Sequence, residues 1–455
     1  MTIHHRLSSV CLLTLALSVA IPVSAQYEKI TSDKLSNVKA IRKIGTETLD
    51  KIEIEIKERY YDKTFHGVNL DARFKEASDK IKQAETRGQI YRITAQLLTE
   101  FDDSHLFFIP LNRANAVDYG FNFQMIGNQC MVTSVKKGSD AEAQGLKAGD
   151  IITGISSYNP TRENIWKLQY VLYTLDPQAS LKIYVANKDG TEKELQINSK
   201  FRMFDDIEKE RRKKNEKDEP ARCVELDSMT VACRLETFEI EPDAVKKMMK
   251  FVGNHPNMIL DLRGNRGGSV EIEELLVSYF FDKDVKIGDF VSRGKTDERI
   301  AKTHRNSTYT GKLSVLIDSE SASAAEVFAR VIQIEKRGTI IGDISSGAVM
   351  TSVEIEIRGD YERNADESTS SFSGLSVTVG DLIMSDGKRL EKVGVIPDMP
   401  ARPAPAAFRD RLDVVLAYAA KQLGGTITAA DAGKLHFIFR AEDAGDSTAS
   451  KKAKS

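Results

Sequence analysis

The stretch Asp261–Gly268 reads DLRGNRGG and directly follows the apolar run Met258–Leu260. An apolar run, a glycine-rich turn and then an amphipathic stretch through Leu275 and Phe280 predict a strand, a tight turn and a helix. Three glycines within five residues let the backbone turn sharply and bring N–H groups close to a ligand. Taken alone, the unit is equally compatible with a tight turn that binds nothing.

A second unit of the same kind lies downstream. The apolar run Leu313–Ile317 leads into Asp318–Glu326, DSESASAAE, and then into a helical pattern. A serine at a strand-to-helix corner projects its hydroxyl outward, and the next N–H points at the group that the hydroxyl attacks. Serines also cap helices for structural reasons, so Ser323 alone is ambiguous. Strands and helices alternate over the surrounding region, which predicts an α/β core.

The chain begins with a charged segment, an apolar stretch over 10–23 and a small-residue cleavage pattern that ends at Ala25. This order predicts a signal peptide, residues 1–25, because the apolar stretch is shorter than the roughly 20 residues that a spanning helix needs. We therefore expect a periplasmic or secreted protein that is not integral to the membrane. Oligomeric state is not readable from the sequence.

Composition limits the remaining classes of function. The formal net charge of the 455 residues is −2, which argues against binding to nucleic acid. No cluster of His, Cys and acidic residues has metal-ligand spacing, so no metal or organic cofactor is expected. Cys223 and Cys233 flank a strand-turn-strand pattern, and the sequence leaves open whether they form a disulfide or two free thiols.

The pattern of apolar and charged residues divides the chain further. A helical N-terminal region is expected over 26–112, because apolar residues recur at helical spacing. Short strands follow over 113–201, and 202–221 is rich in both charges and reads as a solvated linker. The α/β core is expected over 222–425, and 426–455 is expected to be a tail that is disordered at its end.

Residues 113–201 resemble a PDZ domain of the bacterial protease type, and Gly145–Ile152, GLKAGDII, is the most specific element of that resemblance. The resemblance implies that Gly120 and Phe121 bind a peptide tail, which adds a strand to the sheet while loop N–H groups receive its carboxylate. A purely structural role for the module is the alternative.

Taken together, the two strand-turn-helix units and Gly394–Asp398, GVIPD, resemble the serine peptidases that process protein C-termini, including their tricorn-like branch. The order and approximate spacing of the motifs match over about residues 50–400. The resemblance implies a core of the crotonase-like kind and a nucleophile at Ser323. It also implies an oxyanion hole made by the N–H of Ala324 and that of Gly267 or Gly268.

The chain departs from the larger branch of that family, in which a lysine activates the serine. The matching stretch Ile341–Val349 reads IGDISSGAV, and Ala348 stands in the place of the lysine. The tricorn-like branch takes its base from a segment before the PDZ-like module, which implies His105 here. That branch orients the histidine through a serine and a glutamate, here Ser104 and Glu391.

Each of these residues has an ordinary structural alternative. His105 could be a polar residue at a helix end, and Glu391 could be an exposed glutamate in a salt bridge. For Asp102 and Asp103, surface solvation or helix termination is the favoured interpretation. The sequence as a whole predicts a serine endopeptidase that acts on protein or peptide substrates, and the alternative is an inactive peptidase fold that binds peptide tails or apolar ligands.

Overall fold

The fold is described from a computed structural model that covers residues 23–110, 115–186, 191–203, 220–303, 308–357 and 373–439. Residues 1–22 of the predicted signal peptide, which was expected over 1–25, lie outside the described residues, as do most of the charged linker and the end of the tail. Over the described part the chain forms a mixed α/β, multi-domain structure whose N-terminal region is helical, as the sequence predicted.

The N-terminal layer contains α1 (Val23–Arg59), α2 (Leu70–Ile81) and α3 (Arg87–Thr99). Thr86 and Gln89 form a reciprocal cap at the start of α3, which satisfies backbone donors that the helix leaves free. Apolar residues of the three helices, including Ile52 and Phe74, share one core with Leu375 and Val377 of the sheet described below. The helical layer therefore packs on the body of the molecule.

A β-rich module follows, built on one five-stranded sheet in the order β3-β4-β5-β6-β7. Its strands and helices are β2 (Asn115–Asp118), β3 (Phe121–Ile126), β4 (Gln129–Val135), α4 (Asp140–Ala143), β5 (Ile151–Ile155), α5 (Ile165–Tyr170), β6 (Ser180–Ala186), β7 (Glu192–Asn198) and β8 (Lys200–Met203). The strand β3 lies at an edge of the sheet, and β2 pairs with β8. The module has its own apolar core.

The first sheet of the core runs in the order β18-β15-β14-β11-β10-β9. The elements over this part are β9 (Ala221–Glu225), β10 (Thr230–Leu235), α6 (Pro242–Val252), β11 (Asn257–Asp261), α7 (Val270–Ser278), β12 (Val285–Ser292), β13 (Lys295–Ala301), β14 (Lys312–Ile317), α8 (Ala324–Ile334) and β15 (Thr339–Gly342). Neighbouring strands are parallel except β9 at the edge. Met258 and Leu260 enter one apolar cluster and Ile259 another, so both faces of the sheet are covered, as parallel sheets require.

A second core sheet contains β1 (Phe107–Ile109), β16 (Met350–Ile357), β17 (Ser373–Met384), β12 and β13. The chain ends with β18 (Met399–Pro400), α9 (Pro405–Arg409), α10 (Val414–Gln422) and α11 (Ala429–Gly433). Strand β1 comes from before the β-rich module, yet it pairs antiparallel with β17, with Phe107 opposite Ser376. This pairing places the segment with Ser104 and His105 against the core.

Cys223 and Cys233 lie opposite each other on β9 and β10 and form a disulfide. The structure thus selects one of the two alternatives that the sequence left open. Cys130 is free and buried in the β-rich module.

No helix among the described residues is long and apolar enough to cross a membrane.

Candidate active site

Ser323 stands at the corner between β14 and α8. Its backbone has φ 55° and ψ −122°, a conformation that is strained for a residue with a side chain and typical of a serine presented at a sharp turn. Its N–H donates to Ala348 O at 2.8 Å and to Glu326 Oε2 at 3.1 Å. The strain is therefore held by contacts on the inner side of the corner.

The glycine turn after β11 meets this corner because β11 and β14 are parallel neighbours and both end at the same edge of the sheet. A Cβ on Gly267 would lie 2.6 Å from Ser323 Cβ and 3.1 Å from the nitrogen of Ala324. Only glycine permits this approach, and its φ of +93° also favours glycine.

The structure distinguishes the two glycines as hydrogen-bond donors. The N–H of Gly267 already donates to Asn265 Oδ1 at 2.8 Å. Phe238 pairs with the residues on either side of Gly268, since its N–H donates to Gly267 O and its carbonyl accepts from Ser269. Within the described part of the chain, the N–H groups of Gly268 and Ala324 have no hydrogen-bond partner. These two donors are free for a ligand at the corner.

His105 is held by a line of hydrogen bonds. Its Nδ1 lies 2.7 Å from Ser104 Oγ, and Ser104 Oγ donates to Glu391 Oε2 at 3.0 Å. Because the hydroxyl proton goes to the carboxylate, Ser104 Oγ accepts the proton of Nδ1, and Nε2 is left unprotonated. The Ser104 N–H also donates to Glu391 Oε1 at 3.2 Å.

The backbone of this segment is fixed by Asp103. Its Oδ1 accepts from the N–H of His105 at 2.8 Å and from the hydroxyl of Thr378 at 2.8 Å, and its Oδ2 accepts from Tyr60 at 2.9 Å. Asp103 is 2 % exposed, so its interpretation as a solvated surface residue was wrong. The reason is that β1 folds back on β17 and buries the residues before it. Asp102 does stay exposed, and it pairs with Lys392 at 3.0 Å.

Burial shifts the pKa values of His105 and Glu391 in opposite directions. It lowers the pKa of His105, although the charge of Asp103 acts in the opposite direction. Burial raises the pKa of Glu391, and the N–H of Val349 together with Ser104 opposes that rise. Glu391 is thus an internal hydrogen-bonded carboxylate, and no ion pair is recorded for it among the described residues.

The loop that carries Ala348 connects the serine to the histidine. Ala348 O accepts from the N–H of Ser323, and the next residue, Val349, donates to Glu391 Oε2 at 2.9 Å. The hydrogen bonds of Glu391 then continue through Ser104 to His105. One network therefore joins groups that lie on opposite sides of the β-rich module in sequence.

Sequence reasoning gave no role to Glu326, Asn265 or Val349, although all three lie inside this network. Glu326 is fully buried and accepts four hydrogen bonds. In the sequence it resembles an ordinary acidic residue in the first turn of a helix, which is why the pattern gave no signal.

Gly120 and Phe121 lie in the β-rich module, apart from this network. The Gly120 N–H donates to Asp118 Oδ1 at 2.8 Å, and Asp118 pairs with Lys136 at 2.8 Å. Phe121 is already paired with Val135 in the sheet. In this conformation the loop satisfies its own donors.

A cleft of about 850 Å³ runs between the module and the core. Ser104 lies on its wall beside aromatic side chains from β1, β3, α5 and the helical turn Val171–Leu175 that follows α5: Phe107, Phe123, Trp166, Tyr170 and Tyr173. Charged side chains, including Arg266 and Glu320, also line the cleft, so it offers both aromatic and polar contacts to a ligand. No group of three or more His, Cys, Asp or Glu within the described ranges is placed to hold a metal ion.

Comparisons with known proteins find similar peptidases. Residues 231–401 match peptidase family S41. The chain is 25 % identical over 365 residues to the chloroplastic carboxyl-terminal-processing peptidase 2 of Arabidopsis thaliana, a match that covers 75 % of this chain and 66 % of the relative. It is 24 % identical over 400 residues to the carboxy-terminal processing protease CtpA of Bacillus subtilis (strain 168), covering 84 % and 74 % of the two chains.

Two solved structures share the fold. The photosystem II D1 C-terminal processing protease superposes with a TM-score of 0.51 at 18 % identity, over 79 % of this chain and 93 % of that one. Mature CPAF superposes with a TM-score of 0.61 at 14 % identity, over 90 % and 99 %. These matches confirm the resemblance that the motifs indicated.

Proposed function

We propose that the chain, whose residues 231–401 match peptidase family S41, is an exported serine endopeptidase that cuts peptide bonds by acyl transfer at Ser323. The observation that carries this proposal is the path of contacts between the Ser323 backbone and His105. The Ser323 N–H donates to Ala348 O, the adjoining Val349 N–H donates to Glu391, and Glu391 is hydrogen-bonded through Ser104 to His105.

In the proposed reaction, Ser323 Oγ attacks the carbonyl carbon of the substrate and His105 Nε2 takes the hydroxyl proton. The oxyanion is held by the N–H groups of Ala324 and Gly268, each worth about 10²–10³ in rate. The C–N bond then breaks as His105 returns the proton to the departing amine, which leaves an acyl-serine. Water, deprotonated by the same histidine, hydrolyses the acyl-serine and restores the enzyme.

Ser104 and Glu391 act through His105. They keep the proton on Nδ1, so that the lone pair of Nε2 is available as the base, and they stabilise the imidazolium that forms. Ala348 cannot take part in proton transfer, and only its backbone is used. A positioned base contributes about 10²–10⁴ in rate, so this line of residues replaces the lysine of the larger branch.

The core is proposed to have the crotonase-like arrangement and residues 113–201 to be a PDZ-like module. The cleft between them would hold the substrate as an extended segment, with protein tails as the proposed substrate class. Gly120 and Phe121 remain the proposed contacts for the tail.

The test uses purified protein on casein and on a fluorophosphonate probe, with Ser323→Ala and His105→Ala beside the unmodified chain. We expect turnover and labelling that are lost in both variants. Retention of activity by His105→Ala would show that another group is the base. A well-folded protein that neither cleaves nor labels would instead favour the inactive, tail-binding alternative, which the absence of a lysine at Ala348 makes worth testing.

A further inference from the structure

We propose that Glu326 is a positioning residue of the peptidase, whose ionised carboxylate keeps the nucleophile corner in register with the loop that leads to the base. This inference rests on the proposed function. It concerns a side chain that contacts no substrate and acts through the backbone of Ser323.

The contacts of Glu326 occupy both of its oxygens. Oε1 accepts from Ser345 Oγ at 2.6 Å and from the Gly347 N–H at 2.7 Å. Oε2 accepts from the Ala348 N–H at 2.9 Å and from the Ser323 N–H at 3.1 Å. The side chain is 0 % exposed, and no ion pair to it is present among the described residues.

These contacts connect the two halves of the catalytic network. The N–H of Ala348 donates to Glu326, while the N–H of Val349 donates to Glu391. Two consecutive backbone groups are therefore bound by two carboxylates, one beneath the nucleophile and one behind the base. If Glu326 releases Ala348, the loop can shift relative to Ser323 and carry Val349 with it.

The carboxylate must be ionised to do this. Three of the four donors are N–H groups, which cannot reverse their direction. Protonation removes the charge that strengthens all four bonds, and an amide in this place would set an N–H against one of these donors and lose that contact. Burial raises the pKa of Glu326 to about 7, so the residue changes protonation close to neutral pH.

The charged groups around Glu326 do not neutralise it. Four charged side chains lie on its own helix or on the segments packed against it: Arg330, Asp343, Glu391 and Lys392. None of them forms an ion pair with Glu326 in the described structure.

The experiment compares Glu326→Gln with Glu273→Gln in the full chain, with casein and fluorophosphonate as probes. Glu273 is a matched control because it is also a fully buried glutamate near the start of a helix, and burial likewise raises its pKa to about 7. Its carboxylate pairs with Arg299 instead of the loop that carries Ala348.

We expect Glu326→Gln to lower kcat about 100-fold with KM changed less than about 3-fold, comparable to the loss of one oxyanion donor. We expect Glu273→Gln to keep kcat within about 2-fold.

The dependence of the labelling rate on pH separates positioning from simple destabilisation. In the unmodified protein the rate should rise as the pH passes about 7, because Glu326 ionises there. It should rise separately at lower pH, where His105 loses its proton, since burial lowers that pKa from 6.5. In Glu326→Gln the step near 7 should be absent while the lower step remains.

An unchanged kcat together with an unchanged step near pH 7 in Glu326→Gln would overturn the inference. If that variant fails to fold, Ser345→Ala provides a second measurement. It removes one donor to the charged form, so the step should move to higher pH, and a step that does not move would also overturn the inference. Turnover by Ser323→Ala would instead overturn the proposed function, and the two failures are therefore distinguishable.

Discussion

At the scale of single residues, the candidate site contains buried or half-buried carboxylates whose hydrogen bonds come from neutral donors. Glu391 receives the Ser104 N–H and hydroxyl and the Val349 N–H, and Asp103 receives backbone and hydroxyl donors. Neutral donors stabilise a charge without cancelling its field, so Glu391 remains able to orient His105 through Ser104.

The first prediction concerns this orientation. Glu391→Gln removes the charge but keeps the shape of the side chain. Its amide can donate to Ser104 Oγ in place of accepting from it, so Ser104 no longer holds the proton on Nδ1 of His105. We expect kcat to fall about 100-fold while KM changes little. The control is Glu354→Gln, at an exposed glutamate on β16. Equal kcat values for the two variants would show that Glu391 does not act on the base.

The second prediction concerns the close approach of the glycine turn. In Gly267→Ala the new Cβ would lie 2.6 Å from Ser323 Cβ, so we expect the corner to shift and the proposed oxyanion donors to separate. We expect at least about a 100-fold loss of fluorophosphonate labelling. Gly387→Ala is the matched control, because Gly387 has a similar φ of +79° with nothing within 4 Å of the added Cβ. Both variants share the backbone strain, and comparable labelling by the two would contradict the assignment.

At the scale of elements, the two strand-turn-helix units could be predicted from sequence because their signals are local. In each unit the apolar strand, the turn residues and the helical pattern lie within about twenty residues of each other. The position of His105 is different, since it depends on β1 pairing with β17 more than two hundred positions away. No periodicity carries that information, and only the resemblance to a family supplied it. The burial of Asp103 was missed for the same reason, and the four contacts of Glu326 could not be read from a helix start.

The third prediction concerns the disulfide that joins β9 to β10. It closes a sequence separation of 10 residues, for which chain entropy gives about 2–3 kcal/mol of stabilisation. The double variant Cys223→Ala, Cys233→Ala should lower the free energy of unfolding by that amount in a denaturant titration. The kcat should be unchanged, because neither residue contacts the catalytic network. Equal stability with and without a reducing agent would argue that the bond does not form.

At the scale of the whole molecule, Asp343 attaches the β-rich module to the core. Its carboxylate accepts from Arg162 at 2.6 Å and from the Gly127 N–H at 2.6 Å on the module, and from Arg402 at 2.7 Å on the core. Asp343 is 3 % exposed, so the loss of its charge would weaken its bond to Arg162, and an amide would offer one acceptor oxygen where the carboxylate offers two.

The fourth prediction follows from this attachment. Asp343→Asn should loosen the module, so hydrogen exchange should become faster in β3 and around Arg162 while strands β10, β11 and β14 keep their protection. The control is Asp297→Asn on the exposed hairpin of β13, whose side chain is 47 % exposed. Uniformly faster exchange over the whole chain would mean that the module and the core do not separate.

Asp118 accepts the Gly120 N–H, which is one of the groups proposed to bind an incoming tail. The Asp118 carboxylate is held beside the Gly120 N–H and so acts at a high effective concentration. The carboxylate of an incoming peptide must displace Asp118 before it can accept that N–H. Under the proposed function, we therefore expect weak selection by chain ends in this module and stronger selection by the side chains that line the cleft. Asp118→Asn should tighten the binding of peptides with a free terminal carboxylate relative to their amidated forms. Titration of both peptide forms by calorimetry measures that difference, and an equal response of the two would refute the competition.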